Sequence, residues 1–432
     1  MHALAHSIDA HVANRYLGLA PFLRASIAGE DLQAIANQIL AGLDAQEPSA
    51  EGLMNLSIAV QCLGQKALGL SLQQQALALC QTYTLAARRQ PAHFTLLLLV
   101  TDGTIQSHTP VECLLEDADV TVVFHYIDRH LTTATVDAAL AALPAHDALL
   151  VAISDSDEHR GLLDALTAPL QRWSQPVLNA PAALHHTVRD TASALLSAVD
   201  GLCMPATARV SRAALLALAD GLCPLDSLLS GACFPVIVRP LGSQGGAGLA
   251  RIADGAALRT YLASQSDGAF FMAPFIDYSG SDGQFRKIRI ALIDGQPYVS
   301  HMAISGHWMI HYVNAGMYEH AWKRQEEARF MREFDQFVQR HAAAFAGIAR
   351  QMQLDYLVMD CAELPDGRLL VFEIDSGGVV HAMDLESVFP YKNGHIAKAR
   401  LAFCQMLAAR CGPDRALPAA PLTSVERHAE SV

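Results

Sequence analysis

The sequence predicts a mixed α/β protein with an all-helical N-terminal region, and three observations predict this class. Residues 1–90 are rich in Ala, Leu and Gln, with apolar positions at helical spacing. From residue 93, short apolar runs alternate with Ala-rich helical stretches, which is typical of a parallel sheet with helical crossovers. From about residue 205, six strands and one long helix are predicted.

Length and composition exclude several classes of protein. The chain has 432 residues, and 52% of them are hydrophobic, which suggests roughly three domains at about 150 residues each. The net charge of −13, with no dense Lys/Arg run, argues against binding to nucleic acid. No apolar run approaches the roughly 18 residues of a membrane span. We expect no membrane partner.

The cysteines and the N-terminus predict the compartment. Nine cysteines are scattered along the chain, and no two form a Cys-x-x-Cys pair. The N-terminus lacks the basic, apolar and small-residue order of a signal peptide. We therefore expect reduced, mostly buried thiols and a cytoplasmic location.

Within the helical region, Met54–Cys80 resembles one tetratricopeptide-type helical hairpin. The small residues Gly64, Ala67, Gly69 and Ala76 would allow close contact between its helices. One repeat is fewer than the roughly three that an independent solenoid needs. The alternative is a plain helical cap that packs on the next domain.

The middle of the chain is predicted to alternate strands and helices. Strands are expected at Phe94–Val100, Asp119–His125 and Ala148–Ile153, with a helical stretch at Val136–Ala142. A short strand and turn follow at Gln175–Pro181, and a helix is expected from Val188 to Val199.

The last part of the chain is predicted to be richer in strands. The expected strands are Phe234–Arg239, Ala269–Ile276, Ile288–Ile293, Pro297–Ala303, Tyr356–Glu363 and Arg368–Asp375. A single long helix is expected from Trp322 to Met352. The final residues contain three prolines and no periodicity, so a loose tail is expected over 412–432.

The last two predicted strands form a hairpin that carries acidic residues. Tyr356–Glu363 and Arg368–Asp375 flank Leu-Pro-Asp-Gly, which is a strong turn signal. A two- or four-residue loop would place Asp360 opposite Val371. Asp360 and Glu373 would then be diagonal neighbours, with Cα atoms roughly 7–8 Å apart.

Three acids would share one face of this hairpin. Side chains alternate along a strand, so Asp360, Glu373 and Asp375 are expected on the same side. Buried carboxylates repel one another unless a cation lies between them, and magnesium takes a few carboxylates, water and phosphate oxygens. The alternative is a solvated surface hairpin, which the apolar run Leu369–Phe372 disfavours.

A glycine-rich loop follows the first strand of this region. Gly242, Gly245, Gly246 and Gly248 would let backbone N–H groups approach an anion. Arg239, at the end of the strand, could reach phosphate oxygens. No Gly-Lys-Ser/Thr follows, so the loop is not a Walker loop. A flexible hairpin is the alternative.

The glycine loop with a preceding cation, followed by Asp and then Glu-x-Asp on a hairpin, resembles the ATP-grasp superfamily. The nearest likeness is to bacterial glutathione synthetases and ribosomal-protein glutamate ligases, over about residues 93–405. The resemblance implies an α+β ATP-grasp core in two subdomains over 205–411. It also implies a Rossmann-like α/β domain over 91–204, preceded by the helical region 1–90.

The resemblance also implies roles for individual residues. Asp360, Glu373 and Asp375 would bind Mg²⁺ or Mn²⁺, and Arg289 and Asn314 would be catalytic. ATP would be bound by the glycine loop, by a hinge that uses backbone groups, and by a second cation. Arg209 is an alternative to Arg212 as this second cation. The residues that would bind ATP are Arg239, Gly242, Ser243, Gly245, Gly246, Met272, Ala273, Phe275 and Arg212.

The resemblance places a histidine-rich segment on the substrate side. His301, His307, His311 and, past a Gly-Gly turn, His381 are the candidates for substrate contact. The alternative is aromatic packing with hydrogen-bonded imidazoles. The neighbouring Arg286 and Lys287 are expected to be solvated.

Three positions depart from the family pattern. Arg239 stands where lysine is usual, and Asp375 stands where asparagine is usual. Ile304 replaces a substrate-binding arginine of glutathione synthetases, which argues against glutathione synthesis. The N-terminal helices are also outside the plan of that family.

The activity that the resemblance implies is ATP-dependent ligation of a carboxylate to an amine through an acyl-phosphate. The substrates would be small molecules or a peptide, and a homo-dimer is compatible with this reading. One alternative is a peptide- or protein-modifying ligase that holds its substrate with residues 1–90. Another, motivated by the Arg239 and Asp375 departures, is a nucleotide-binding module without catalysis. The identities of the acyl donor and acceptor stay open.

Overall fold

The fold was analysed in a computed structural model that describes residues 15–44, 49–243 and 245–412. The α-helices of the described residues are α1 (Ala20–Ile27), α2 (Leu32–Asp44), α3 (Ala50–Cys62), α4 (Lys66–Leu79), α5 (Val111–Leu115), α6 (Val136–Ala141), α7 (Arg160–Gln171), α8 (Pro181–Leu184), α9 (Arg189–Leu196), α10 (Arg212–Ala219), α11 (Gly255–Ser264), α12 (Ala321–Arg332), α13 (Phe334–Arg340), α14 (Ala342–Met352) and α15 (Lys392–Cys411).

The strands form three sheets. They are β1 (Thr82–Leu85), β2 (Phe94–Thr101), β3 (Val120–Ile127), β4 (Ala148–Val151), β5 (Val177–Leu178), β6 (Leu202–Cys203), β7 (Ala208–Ser211), β8 (Val236–Pro240), β9 (Ala250–Ile252), β10 (Ala269–Pro274), β11 (Phe285–Ile293), β12 (Gln296–Ser305), β13 (Tyr356–Glu363) and β14 (Leu369–Asp375). The predicted mixed α/β class is therefore confirmed.

The first sheet has the strand order β1-β3-β2-β4-β5. Strands β3, β2, β4 and β5 are parallel to one another, as the alternation of strands and helices predicted. Alternate residues of β2 face opposite layers: Leu96 and Leu98 pack with the N-terminal helices, whereas Leu97 and Leu99 pack on the other side. This burial on both faces explains the unbroken apolar run.

Residues 1–90 were predicted to be entirely helical, and this prediction is wrong at β1. Thr82–Leu85 pairs antiparallel with β3 at the edge of the first sheet. Its Thr-Tyr-Thr sequence suits a strand, and Tyr83 is buried against Tyr16. The predictions for residues 1–14 and 45–48 lie outside the described residues.

Helices α3 and α4 form the hairpin that the sequence predicted near Met54–Cys80. Its helices approach closely at Gly69, where a Cβ atom would lie 2.3 Å from the side chain of Gln61. The hairpin packs on the first sheet and shares its apolar core. Its likeness to a tetratricopeptide repeat stays a prediction, as does the division of the chain into domains.

The second and third sheets carry the predicted chemical motifs. The second has the antiparallel order β7-β10-β8-β9, and the glycine loop joins β8 to β9. The third has the order β12-β11-β13-β14-β6, and its β13–β14 pair is the acidic hairpin.

The predicted register of the acidic hairpin is wrong. Asp360 lies directly opposite Glu373, not opposite Val371, which pairs with Cys361. The difference arises from an irregularity after Asp360 that leaves Phe372 without a partner on β13, which is the pattern of a β-bulge. Asp360, Glu373 and Asp375 keep the shared face, and the pair is closer than a diagonal one.

The single long helix predicted from Trp322 to Met352 is broken into α12, α13 and α14. The breaks fall at Glu333 and His341. At His341 the buried imidazole lies 3.0 Å from the carboxylate of Glu363 on β13. Among the described residues, no helix has the length and apolarity of a membrane span. The loose-tail prediction lies outside them, apart from Gly412.

Candidate nucleotide and metal site

A cavity of about 200 Å³ lies between the second and third sheets. Strands β8 and β10 supply one wall, and β11, β13 and β14 supply the other. The lining residues are Arg189, Met204, Pro205, Thr207, Ile237, Arg239, Gly246, Leu249, Phe271, Met272, Ala273, Pro274, Phe275, Ile276, Tyr278, Lys287, Trp308, Met309, Ile310, His311, Asp360, Leu370, Val371, Phe372 and Glu373.

One end of the cavity is apolar and aromatic. It contains the predicted hinge residues Met272, Ala273 and Phe275. Trp308 meets Phe275 edge to face, with ring centroids 5.7 Å apart. The Tyr278 hydroxyl donates a hydrogen bond to the Trp308 carbonyl, which holds this residue in place. A flat apolar ring would fit this end of the cavity.

The other end of the cavity is charged. Three cationic side chains and two carboxylates meet there: Arg189, Arg239, Lys287, Asp360 and Glu373. They come from α9, β8, β11 and the β13–β14 hairpin, so only the folded protein brings all of them together. A cavity that is apolar at one end and charged at the other suits a ligand with a base and phosphates.

Asp360 is 3% exposed and is bound by two cations. Lys287 Nζ lies 2.8 Å from Oδ2, and Arg289 Nε lies 2.8 Å from Oδ1. Burial alone would raise the pKa of Asp360, but Arg289 and Lys287 outweigh this effect and hold the pKa well below its usual range. Burial alone would lower the pKa of Arg289, but the nearby Asp360 outweighs this effect and raises the pKa of Arg289.

Glu373 and Asp375 occupy different surroundings. Arg189 donates a short hydrogen bond to Glu373, and it lowers the pKa of Glu373 against the effect of burial. Asp375 Oδ1 accepts a 2.7 Å hydrogen bond from the Gly377 N–H group. Burial, followed by the nearby Glu373, raises the pKa of Asp375.

The acidic hairpin fits a hard cation at Asp360 and Glu373. These carboxylates lie directly opposite each other on one face, and magnesium usually takes only one or two carboxylates together with water and phosphate oxygens. Within the described residues, no group of three or more His, Cys, Asp or Glu side chains is arranged to hold a metal ion. The three predicted ligands, Asp360, Glu373 and Asp375, therefore all stay predictions.

Arg239 lies at the root of the glycine loop and is 7% exposed. Its Nε lies 3.1 Å from the Ser243 hydroxyl, and it also donates to the Ser243 carbonyl. Burial, followed by the nearby Arg189, lowers the pKa of Arg239 to about 10. A bound anion would relieve this unfavourable environment.

The glycine loop contacts the histidine-rich segment at its tip. A Cβ atom on Gly246 would lie 2.6 Å from His311 Nε2, and Gly246 has φ +76°. Both residues line the cavity, whereas Gly242, Ser243 and Gly245 do not. The loop therefore covers the cavity with its glycine tip.

Several predicted site residues lie outside the cavity lining. Arg212 donates a 3.2 Å hydrogen bond to the Asp267 carbonyl, and the alternative Arg209 lies over the Phe271 ring at 5.2 Å. Asn314 Oδ1 accepts a 2.9 Å hydrogen bond from the His311 N–H group.

The other predicted histidines, His301, His307 and His381, are not among the lining residues of the cavity. His301 is paired with Arg289 across β11 and β12, and burial, then Arg289, lowers its pKa. Burial lowers the pKa of His381 to about 4. His307 is exposed beside Trp308.

Arg189 and Trp308 line the cavity although the sequence did not predict them as site residues, and the expectation that Lys287 is solvated is wrong. Lys287 is not solvated: its side chain is 14% exposed and paired with Asp360. A signal existed, because Lys287 and Arg289 are two apart on one strand and share a face. Arg189 carries no local signal, since it pairs with a residue far along the chain.

No protein-family model matches the sequence, and no curated protein matches it. Among solved structures, the chain is similar to the VanG D-Ala:D-Ser ligase from Enterococcus faecalis, with 11% identity, a TM-score of 0.42, and coverage of 72% of this chain and 98% of that one. It is similar to a D-alanine-D-alanine ligase from Coxiella burnetii, with 13% identity, a TM-score of 0.43, and coverage of 73% and 93%. It is also similar to a RimK domain ATP-grasp protein from Sphaerobacter thermophilus, with 15% identity, a TM-score of 0.36, and coverage of 71% and 98%.

Proposed function

We propose that the protein is an ATP-grasp ligase that uses Mg²⁺ and ATP to join a carboxylate to an amine. One observation carries the proposal: a single cavity has an aromatic end and an end where two carboxylates and three cationic side chains meet. This combination suits a nucleobase, its phosphates and a divalent cation. The order of the sequence motifs, which resembles the ATP-grasp superfamily, supports the same conclusion.

The chain would bind the nucleotide along the length of the cavity. The base would lie between Met272 and Trp308, and Arg239 and Lys287 would hold the phosphates. Asp360 and Glu373 would hold magnesium, which neutralises phosphate charge when bound. Phosphate oxygens would then replace the carboxylates as partners of Lys287 and Arg189.

The proposed reaction has two steps. A carboxylate oxygen of the first substrate bonds to the terminal phosphorus, and the bond to ADP breaks. The amine nitrogen of the second substrate then bonds to the acyl carbon, phosphate leaves, and the nitrogen loses a proton. Arg289, which is buried beside Asp360, would neutralise the charge that develops on the transferred group.

The glycine loop would exclude water during these steps. Gly246 lies so close to His311 that an added Cβ atom would be 2.6 Å from its Nε2, and a covered site protects a reactive acyl-phosphate from hydrolysis. A side chain at position 246 would meet the imidazole, so the closed position needs glycine.

Release of ADP tests the proposal directly. Purified protein is incubated with ATP and Mg²⁺ and a panel of amino acids and short peptides, alone and in pairs, and ADP is measured with and without EDTA. We expect at least one compound or pair to stimulate Mg²⁺-dependent ADP release, with an amide product in mass spectra. Tight nucleotide binding without stimulation by any compound would favour a non-catalytic nucleotide-binding module.

A further inference from the structure

The carboxylate of Glu327, on α12, is fully buried and accepts hydrogen bonds at both oxygens. Oε1 accepts a 2.9 Å bond from the Met302 N–H group. Oε2 accepts bonds from the Tyr312 and Tyr391 hydroxyls, at 2.9 and 2.6 Å. Lys392 Nζ lies 3.5 Å from Oε1 and supplies the compensating charge. A buried polar network whose members are paired specifies one arrangement of the groups that it joins.

The donors to Glu327 come from three parts of the fold. Met302 lies on β12, the edge strand of the third sheet, where an N–H group needs a partner from outside the sheet. Tyr391 and Lys392 lie at the start of α15. Tyr312 follows directly after four residues that line the cavity. Glu327 therefore joins one wall of the cavity to a sheet edge and to a helix.

The wall segment, residues 308–311, lines the cavity with all four of its residues. The carbonyl of its first residue accepts a hydrogen bond from the Tyr278 hydroxyl. Its last residue, His311, directly precedes Tyr312, whose hydroxyl donates to Glu327. The segment is therefore held by one side chain at its beginning and by another just beyond its end.

His311 is the residue of the wall segment that packs against the glycine loop. A Cβ atom added to Gly246 would lie 2.6 Å from His311 Nε2, so the two residues are packed too closely for a larger residue at position 246. Both residues line the cavity. A shift of His311 would therefore change the position at which the loop comes to rest over the cavity.

We propose that Glu327 is a positioning residue of the ligase: through the Tyr312 hydroxyl, it fixes His311 as the contact on which the glycine loop closes. This inference rests on the proposed function, in which the closed loop keeps water from the acyl-phosphate. Glu327 and Tyr312 are not among the lining residues of the cavity, so they act through His311. Without the Tyr312 bond, a water oxygen bonds to the acyl carbon in place of the amine, phosphate leaves, a proton is released, and the carboxylate is recovered.

Two variants break the connection, and a third is the matched control. Tyr312→Phe removes the hydroxyl and keeps the ring, which packs on His301 with centroids 4.7 Å apart. Glu327→Gln is the second variant, since an amide has one acceptor oxygen in place of two. The control is Tyr391→Phe, which removes a bond to the same carboxylate oxygen from a residue outside the cavity lining. A purely structural role of the network predicts the same coupling of ATP use to amide formation in Tyr312→Phe and in the control.

The readout is the amount of amide formed per ADP released, with the substrate pair that best stimulates the unchanged protein. We expect this ratio to fall on the order of 10-fold in Tyr312→Phe and Glu327→Gln, and to stay nearly unchanged in Tyr391→Phe. The calorimetric Kd for Mg-ADP should also stay nearly unchanged, because Tyr278 still holds the beginning of the wall segment. An unchanged ratio in Tyr312→Phe, or an equal fall in Tyr391→Phe, would overturn the inference.

Hydrogen exchange separates failure of this inference from failure of the proposed function. If no compound stimulates ADP release, the ligase proposal fails before any variant is made. The effect of Glu327 on the glycine loop is then decided by exchange of the 245–249 amides in the protein without ligands. Faster exchange there in Tyr312→Phe than in Tyr391→Phe supports the positioning role, and equal exchange in both variants contradicts it.

Discussion

Asp360 lies directly opposite Glu373 across β13 and β14, and each carboxylate has its own cationic partner. Lys287 and Arg289 bind the first, and Arg189 binds the second. The protein thus stabilises two adjacent acids, of which Asp360 is buried and Glu373 is partly exposed, with side chains that could also hold phosphates. If Lys287 and Arg189 bound phosphate oxygens instead of the carboxylates, Asp360 and Glu373 would be free to bind a metal ion.

Glu373→Gln removes one of the two proposed metal ligands and keeps the shape of the side chain. We expect Mg²⁺-dependent nucleotide turnover to fall on the order of 100-fold or more, because the charge that holds the cation is lost. ADP release at saturating ATP is the measurement. Asp366→Asn, which changes an exposed acid in the turn of the same hairpin, is the control and should retain activity. Unchanged turnover in Glu373→Gln would disprove the metal assignment.

Metal binding should depend on the nucleotide. Without phosphates, the carboxylate oxygens of Asp360 are occupied by Lys287 and Arg289, so a divalent cation must displace them. We expect Mn²⁺, followed by the loss of its free-ion paramagnetic resonance signal, to bind on the order of 10-fold tighter with ADP than alone. Lys287→Met should increase the affinity for Mn²⁺ alone, since it frees an oxygen. Equal affinities with and without ADP would contradict the exchange.

Tryptophan fluorescence should report nucleotide binding through one residue. The chain has three tryptophans. Among the described residues, Trp308 is the one tryptophan that lines the cavity. We expect ADP to change the emission of the unchanged protein and not that of Trp308→Phe, with the calorimetric Kd nearly equal in both. Trp322→Phe, at an exposed position, should keep the signal. A signal that persists in Trp308→Phe would place the base elsewhere.

The sequence predicted the strands of the site well because their apolar runs are local. β13 has the predicted bounds, and the three acids share the predicted face. The predicted register was wrong because the bulge at Phe372 depends on packing. The ring centroids of Phe372 and Tyr278 lie 4.8 Å apart. No pattern within the hairpin indicates this contact, since Tyr278 comes from a separate segment.

The pairing of charged side chains was the other feature that local sequence patterns could not predict. Arg189 and Glu373 are 184 residues apart in the chain, and their pairing follows only from the way the third sheet packs on α9. At the helix break at His341, the side chain likewise contacts a distant segment, Glu363 on β13. Tertiary contacts outweighed the helical periodicity that predicted one long helix.

The carboxylate of Glu363 gives a stability prediction that depends on pH. Hydrogen bonds from His341, followed by Arg340, lower the pKa of Glu363 to about 2, from an ordinary value of 4.5. A depressed pKa stabilises the fold above pH 4.5, and this contribution is lost as the pH falls towards 2. The side chain is 36% exposed, so Glu363→Gln should cost only about 1 kcal/mol near neutral pH. Urea unfolding should show that difference shrink near pH 2; an equal difference at both pH values would contradict it.

The buried pair of Lys392 and Glu327 provides the last prediction. Lys392 Nζ lies 3.5 Å from Glu327, which is fully buried and also accepts hydrogen bonds from Tyr312 and Tyr391. Lys392→Met would leave this carboxylate without its cation and should lower the free energy of unfolding by about 3–5 kcal/mol.

The double variant Lys392→Met/Glu327→Gln distinguishes pairing from packing. It removes the stranded charge and keeps the side-chain volume, so it should recover part of the loss in urea unfolding, since a neutral amide costs less to bury than a carboxylate. Because the ring centroids of Tyr312 and His301 lie 4.7 Å apart, the single variant should also disturb the packing of His301. Equal destabilisation in the single and double variants would mean that Lys392 stabilises the fold by packing on Tyr312 and Phe389, and not by its charge.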